Sequence, residues 1–321
     1  MEPAILGIDI AKQKFDVALV VERKTITGRF NNTPEGFNML ERWLVKYGVE
    51  RVHACLEATG TYGEALAEHL HRAGHVVSVV NPARIKGFGQ SELSRTKTDK
   101  ADAQLIARFC GAMQPGPWQP PAPEVKELQS LVRRLEALND MLNQERNRLA
   151  TADDIVKDSL ERVITHLQQE IKATRKLIQK HIDRHPDLRG KRDLLETIPG
   201  IGPGTSAMIL AEFGDVTRFH EAGQMASFCG LTPRHRQSGS SVRGRSMISK
   251  TGSSHIRKAL FMPALAAIRY NPVVAAFRAR LLANGKHPMI IVCAIMRKLI
   301  YLAFGVLKSG RPFDPSIAAA A

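Results

Sequence analysis

Four carboxylates in the N-terminal third of the chain lie at positions where a negative charge would be stabilised by a cation or by hydrogen-bond donors. Asp9 lies between two isoleucines, and Glu57 closes the mostly apolar run VHACLE. Asp99 and Asp102 are three residues apart at the start of a predicted helix, so they share one face with Cβ atoms about 5 to 6 Å apart. If the four converge, the like charges are tolerable around hard cations such as Mg²⁺ or Mn²⁺. This pattern predicts a divalent-metal site suited to phosphoryl transfer.

The aspartate pair alone has a simpler interpretation. Acidic residues in the first turn of a helix complement its dipole, and Thr96 or Thr98 would then serve as the N-cap. The spacing by itself leaves this alternative open. The order of a strand Asp, a meander, a strand-end Glu and a helical Asp pair is more specific.

A second candidate for chemistry is the serine-rich segment at residues 230–260, which contains no acid. A serine hydroxyl among guanidinium groups can act as a nucleophile, because the same cations stabilise its alkoxide and a pentacoordinate phosphate. In the alternative, Ser238, Ser240 and Ser241 only donate hydrogen bonds to phosphate. The residues predicted to contact nucleic acid here are Arg234, Arg236, Arg243, Arg245, Lys250, Arg257 and Lys258.

The charge distribution points to a polyanionic partner. The 321 residues carry a formal net charge of +15, and residues 222–313 hold fifteen Lys or Arg and no Asp or Glu. Phosphate backbone is the favoured partner of such a span. An inert basic surface is the alternative, and a membrane surface is disfavoured because the helices lack separate apolar and basic faces.

The chain is expected to be cytoplasmic. It has no run of about 18 uncharged apolar residues and no signal peptide pattern at its start. Four scattered cysteines, without zinc-type spacing, are expected to be reduced core residues: Cys55, Cys110, Cys229 and Cys293.

The elements that must position these residues follow from local patterns. Residues 4–11, 15–22 and 25–32 predict an antiparallel meander, and a helix with Thr33 as N-cap follows. Alternating strands and helices up to residue 82 then predict a mixed sheet covered by helices. The first domain is assigned to residues 1–114.

A proline-rich linker, PGPWQPPAP, precedes two long helices with narrow leucine and isoleucine seams, and residues 115–187 form the second assigned region. The seams predict an antiparallel hairpin or an oligomerising coiled coil; a plain helical spacer is the alternative. Residues 188–321 are assigned to an all-helical domain with breaks at residues 271–272 and 286–288.

The third region opens on a glycine-rich turn between two short helices. Gly200, Gly202 and Gly204 allow backbone amides to approach a phosphate at the start of the second helix. This is similar to a helix-hairpin-helix that grips nucleic-acid backbone, although an ordinary tight turn accounts for the same residues.

The carboxylate set resembles that of the ribonuclease-H-like fold, in particular the RuvC-like resolvases with their Asp-Glu-Asp-Asp residues. Nearly the whole chain resembles the IS-one-ten family of insertion-sequence transposases. That resemblance is carried by the carboxylates, the helical spacer, PGIGP, FCGLTP, the dipeptide Ser238-Gly239, and the KTG and IRKA segments.

The resemblance implies a metal-dependent DNA transposase or recombinase. It assigns Mg²⁺ or Mn²⁺ binding to Asp9, Glu57, Asp99 and Asp102, and a phosphoserine-forming nucleophile to Ser238, with Ser240 and Ser241 as rivals. It also implies a bridge RNA that pairs with donor and target DNA, and dimers that form a tetramer with composite active sites. The expected location is the bacterial cytoplasm, at the nucleoid.

Two other functions remain open from the sequence. A RuvC-like nuclease or Holliday-junction resolvase would use water and would need no serine. A nucleic-acid-binding protein without catalysis would use the carboxylates only for caps and ion pairs, but it leaves Asp9 unexplained.

Overall fold

The computed structural model describes residues 3–22, 24–58, 60–92, 98–234, 237–238, 242–243 and 247–316. The chain divides into two compact units, Met1–Pro120 and Pro121–Ala321.

The first unit is a mixed sheet with helices. Its elements are β1 Ala4–Ile10, β2 Lys14–Val21, β3 Lys24–Asn31, α1 Pro34–Lys46, β4 Val52–Glu57, α2 Glu64–Arg72, β5 Val76–Val80, α3 Pro82–Ser91 and α4 Asp99–Met113. The strand order is β3-β2-β1-β4-β5. The meander β1-β2-β3 is antiparallel, whereas β4 and β5 run parallel to β1. The predicted mixed sheet is confirmed.

Alternation along β1 builds a core on each face of the sheet. Leu6 and Ile8 are buried in one core together with apolar residues of α1 and α2. The opposite face is covered by α4, whose Ala103 and Ala107 pack with Ala18 of β2. Asp9 belongs to this second face because it is two residues from Gly7 and one from Ile8.

Polar caps fix where two helices of this unit begin. Thr98 Oγ1 accepts a hydrogen bond from the Ala101 amide at 3.1 Å, so α4 starts at Asp99. Asn81 caps α3 by accepting from the Ala83 amide at 2.9 Å. The sequence pattern predicted a strand ending at residue 82 and no helix after it, so it missed α3. Asn81-Pro82 is ambiguous because it can end a strand as well as begin a helix.

The second unit is largely helical. Its helices are α5 Pro123–Leu149, α6 Asp154–Arg184, α7 Pro186–Glu196, α8 Pro203–Phe213, α9 Ala222–Phe228, α10 Ser254–Tyr270, α11 Pro272–Ala283 and α12 Pro288–Ser309. The four-residue connection between α5 and α6 makes them a hairpin, closed by a cluster of Leu138, Leu142, Leu167 and Ile171.

The expectation of an all-helical C-terminal domain needs one correction. Two short antiparallel ladders interrupt the helices: β6 Pro233–Arg234 pairs with β9 Met247–Ile248, and β7 Gln237–Ser238 pairs with β8 Val242–Arg243. The glycine- and serine-rich sequence here disfavours a helix, and ladder hydrogen bonds satisfy the backbone instead.

Among the residues that the structure describes, α12 is long and apolar enough by composition to cross a membrane, and α10 with α11 passes the same criterion only if the bent pair is taken as one span. However, 56% of the apolar stretch of α12 is buried inside the structure, and Leu299, Ile300 and Ala303 are fully buried. Such burial is also typical of the central helix of a soluble unit, so the apolar stretch is weak evidence for a span.

Candidate active site

Strand register brings Asp9 and Glu57 to the same place. On the parallel pair β1 and β4, Gly7 lies opposite Cys55 and Ile8 lies opposite Leu56. Asp9 and Glu57 are the next positions along these two strands. Their side chains therefore point to the same face of the sheet, the one that α4 covers.

A glycine allows α4 to approach this face closely. A Cβ atom on Gly7 would lie 2.3 Å from the Ala103 carbonyl oxygen and 2.3 Å from the Ala107 amide nitrogen. Because real Cβ atoms do not approach backbone atoms so closely, only glycine permits this contact. The first turn of α4, with Asp99 and Asp102, is thereby held over the end of β1.

The electrostatics of Asp9 and Glu57 connect the four residues of this carboxylate cluster, which are Asp9, Glu57, Asp99 and Asp102. Burial, followed by the negative charges of Asp102, Asp99 and Asp16, raises the pKa of Asp9 from 3.8 to about 6. Burial, followed by the charges of Asp9 and Asp102, also raises the pKa of Glu57. Negative charge around Asp9 is therefore not fully balanced by the protein's own cations.

Three polar residues that sequence analysis missed border the cluster. Asp16 lies directly opposite Asp9 on β2 and is only 6% exposed. Arg29 Nε donates to both carboxylate oxygens of Asp16, at 3.0 and 3.1 Å. Lys14 Nζ lies 3.3 Å from Asp99 Oδ2, and Arg29 Nη2 lies 3.8 Å from the same oxygen. Asp16 had a detectable signal, since it interrupts an apolar strand as Asp9 does.

The donor chemistry of the cluster fits a hard divalent cation, because its members present carboxylate oxygens and repel one another. Within the described ranges, no group of three or more His, Cys, Asp or Glu side chains is already arranged to hold a metal ion. Asp99 instead pairs with a protein cation, the ammonium group of Lys14.

The serine segment is described only in part. The backbone of Ser238 lies in β7, opposite Val242 of β8, and Arg243 lies in the same ladder. Arg236, Arg245, Ser240 and Ser241 lie outside the described residues. The assignment of the nucleophile to Ser238 therefore stays a prediction.

The remaining predicted nucleic-acid contacts fall into two groups. Arg234, Lys250 and Lys258 are exposed, although Lys258 Nζ contacts Asp140 Oδ1 at 2.5 Å. Arg257 is half-buried, and its Nη1 donates to the carbonyl oxygens of Cys229, Gly252 and Ser253 at 2.9, 3.1 and 3.2 Å. Those bonds support the base of the serine segment.

The glycines of the turn between α7 and α8 also differ in environment. Gly200 has φ +105°, and a Cβ there would lie 2.7 Å from the Ala267 Cβ, so packing against α10 requires glycine. Gly202 and Gly204 have open space where a side chain would be. These two glycines, at the start of α8, are the ones a ligand could approach.

Comparison with known proteins matches both units. A family model of DEDD transposases of the IS110 type matches residues 6–153. The model described as "Transposase IS116/IS110/IS902 family" matches residues 192–279.

Several relatives are similar over most of their length. The pilin gene-inverting protein of Moraxella bovis is 37% identical, with 99% of each chain covered. A probable family 20 transposase of Pseudomonas aeruginosa is 26% identical over 82% of this chain and 84% of its own. The transposase of insertion sequence element IS1328 of Yersinia enterocolitica is also 26% identical, over 78% and 82%. The chain belongs to the IS110 family of insertion-sequence transposases and is a DNA transposase or recombinase.

Proposed function

We propose that the first unit is a RuvC-like catalytic domain and that the carboxylate cluster is its active site. The observation that carries this proposal is that the pKa values of Asp9 on β1 and Glu57 on β4 are raised by burial and by nearby carboxylates. The charge of Asp102 on α4 acts on both, and that of Asp99 acts on Asp9. A purely structural role gives no reason to gather unbalanced negative charge at the end of a sheet.

The four carboxylates would hold Mg²⁺ or Mn²⁺ when the enzyme is loaded. The bound ion supplies charge stabilisation to the scissile phosphate and to the departing oxygen. Lys14 and Arg29 partly neutralise Asp99, and Asp16 holds Arg29 in place by accepting a hydrogen bond from its Nε.

Ser238 is the proposed nucleophile for strand exchange. Its Oγ attacks the phosphorus of a DNA phosphodiester and loses its proton to a base, while the bond from phosphorus to the leaving sugar oxygen breaks and that oxygen takes up a proton. The hydroxyl of a second DNA end then attacks the phosphoserine and releases Ser238. The covalent link thus conserves the bond energy between cleavage and joining.

Target choice is proposed to come from a bridge RNA that pairs with both DNA partners, while the protein binds backbone and helix shape. The support is the acid-free basic span at residues 222–313 and the resemblance to the family. Dimers that form a tetramer, in the cytoplasm at the nucleoid, are part of the same proposal.

Site-specific DNA inversion is a second candidate function. The Moraxella bovis relative, 37% identical over nearly the full length, is named a pilin gene-inverting protein. Inversion and transposition can share the same strand-exchange chemistry and differ in how the two DNA sites are arranged.

A strand-joining assay tests the chemistry. Purified protein with its co-purified nucleic acid is given donor and target DNA in Mg²⁺, and the joined products and denaturant-resistant protein–DNA adducts are measured. Ser238→Ala is expected to abolish both, and Asp102→Asn is expected to reduce joining at least a thousandfold.

The comparison variants are Ser240→Ala and Ser241→Ala. They are expected to keep joining within about tenfold, because the hydroxyl at position 238 does the chemistry. Cleavage that persists in Ser238→Ala without any adduct would instead identify a hydrolytic RuvC-like nuclease or junction resolvase.

A further inference from the structure

The second unit carries an apolar groove between its last three helices. The groove has a volume of about 610 Å³, and its floor is aliphatic and thioether surface from Met262, Leu265, Ile291 and Val292. It forms where α10 and α11 meet at 94°. Met262 and Tyr270 are 65% and 71% exposed, so the groove is open to solvent in the single chain.

The rim of the groove is positively charged. Arg269 and Arg278 line it, and both are exposed. They lie in the span of residues 222–313, which has no acid. An occupant should therefore offer apolar side chains next to carboxylates.

The same chain exposes a surface with these properties at the tip of the α5–α6 hairpin. Ile155 is 92% exposed, and Val156 and Val163 are 45% and 43% exposed. Val156 and Val163 are seven residues apart and so share a face of α6. Residues 150–161 contain four acids and one lysine, which gives a local net charge of −3.

We propose that the hairpin tip of one copy docks into the α10–α12 groove of a second copy. Ile155 and Val156 would enter the apolar groove, and Asp158 and Glu161 would face Arg269 and Arg278. Because each copy has both surfaces, a twofold arrangement makes the contact twice. Nucleic acid is the less suited occupant, because most of the groove lining is aliphatic or thioether and Tyr270 is the one aromatic residue among the described residues that line it.

Sedimentation of the full-length protein, with and without its nucleic acid, tests this contact. Ile155 lies at the hairpin tip, and Leu282 lines the groove and is 43% exposed. Ile155→Asp and Leu282→Asp are each expected to raise the dissociation constant of self-association at least tenfold. Val45→Asp, an equally apolar exposed position on α1, is the matched control and should leave it unchanged.

A charge exchange makes the pairing specific. Asp158→Arg and Arg278→Asp should each weaken self-association, and a mixture of the two variants should recover it, because the reversed charges then face each other. A second measurement joins the surfaces directly: the chain carrying both Ile155→Cys and Leu282→Cys should form an intermolecular disulfide that the pair Val45→Cys with Leu282→Cys does not.

Three results overturn the proposal. The first is unchanged sedimentation of Ile155→Asp and Leu282→Asp. The second is dissociation by Leu177→Asp alone, which would place the contact along the side of α6. The third is loss of nucleic-acid or vesicle binding in Arg278→Asp with self-association intact.

Discussion

Asp9 is the residue whose ionisation reports most directly on the carboxylate cluster. Its folded-state pKa of about 6 exceeds the ordinary 3.8. The folded state therefore binds more protons than the unfolded state between these values, so the free energy of unfolding falls as pH rises from 3.8 to about 6. The contribution of Asp9 to the free energy of unfolding is therefore fully present below pH 3.8 and is lost above about pH 6.

Asp9→Asn should remove this pH dependence. In EDTA at pH 7.5 the variant is expected to be more stable than the parent by about 1 kcal/mol, after allowance for solvent screening. At pH 4 the two should be similar. Urea unfolding at pH 4 and pH 7.5 measures the free energy of unfolding of both proteins. If the variant differs from the parent by the same amount at both pH values, the account is contradicted. Added Mn²⁺ should raise the Tm of the parent but not of Asp9→Asn.

If the proposed metal site is correct, Lys14 should compete with the metal ion for Asp99, since its Nζ lies 3.3 Å from Asp99 Oδ2. Removing the competing cation in Lys14→Gln should tighten Mn²⁺ binding by up to about fivefold, since an exposed ion pair is worth at most about 1 kcal/mol. Lys12→Gln, an exposed lysine nearby, is the control and should have no effect. Calorimetric titration measures both, and weaker binding by Lys14→Gln would mean that Lys14 assists the metal site.

At the scale of elements, the contact between β1 and α4 decides whether the cluster forms. Gly7→Ala would push a methyl group into the α4 backbone. It is expected to cost about 2 kcal/mol of stability, in the range for overpacking, and to abolish strand joining because Asp99 and Asp102 move away.

Gly87→Ala is the matched control, because its Cβ would enter open space within α3. It should be neutral or stabilising by up to about 1 kcal/mol, as expected for glycine to alanine in a helix. Thermal unfolding measures the stability of Gly7→Ala and Gly87→Ala, and the joining assay measures their activity. Full activity in Gly7→Ala would show that the close approach of α4 is dispensable.

The start of α8 allows stability and binding to be separated. Gly204→Asp places a carboxylate in the first turn of a helix, where it should stabilise by about 0.3–1 kcal/mol. The same charge should repel a DNA phosphate and weaken nucleic-acid binding several-fold. Gly190→Asp, an open exposed position on α7, adds the same charge as a control. Equal binding by both variants would exclude a phosphate at this turn.

The sequence predicts most of these elements because their signals are local. Thr33-Pro34 and Thr98 are caps, and short β-rich runs separated by turns of a few residues mark β1, β2 and β3. The contact of Gly7 with α4 was not predictable in this way, because it depends on residues about a hundred positions apart. The ion pairs of Asp99 with Lys14 and Arg29 are non-local for the same reason.

At the scale of the whole molecule, each unit has its own core, and each holds one of the two proposed catalytic regions. The carboxylate cluster belongs to the first unit, and the serine segment with the basic span belongs to the second. The basic span changes the composition of a long segment, so composition indicates a polyanionic partner. The carboxylate cluster is four residues from distant positions, so composition does not indicate the reaction. The family models match parts of both units, residues 6–153 and 192–279.

The most direct test of the central claim is the strand-joining rate of Asp9→Asn, Asp102→Asn and the double variant under single-turnover conditions. If the carboxylates act as one group, each single variant loses at least a thousandfold, and the double variant loses little more than either one. Single variants that stay within tenfold of the parent, or losses that multiply in the double variant, would contradict a shared catalytic site.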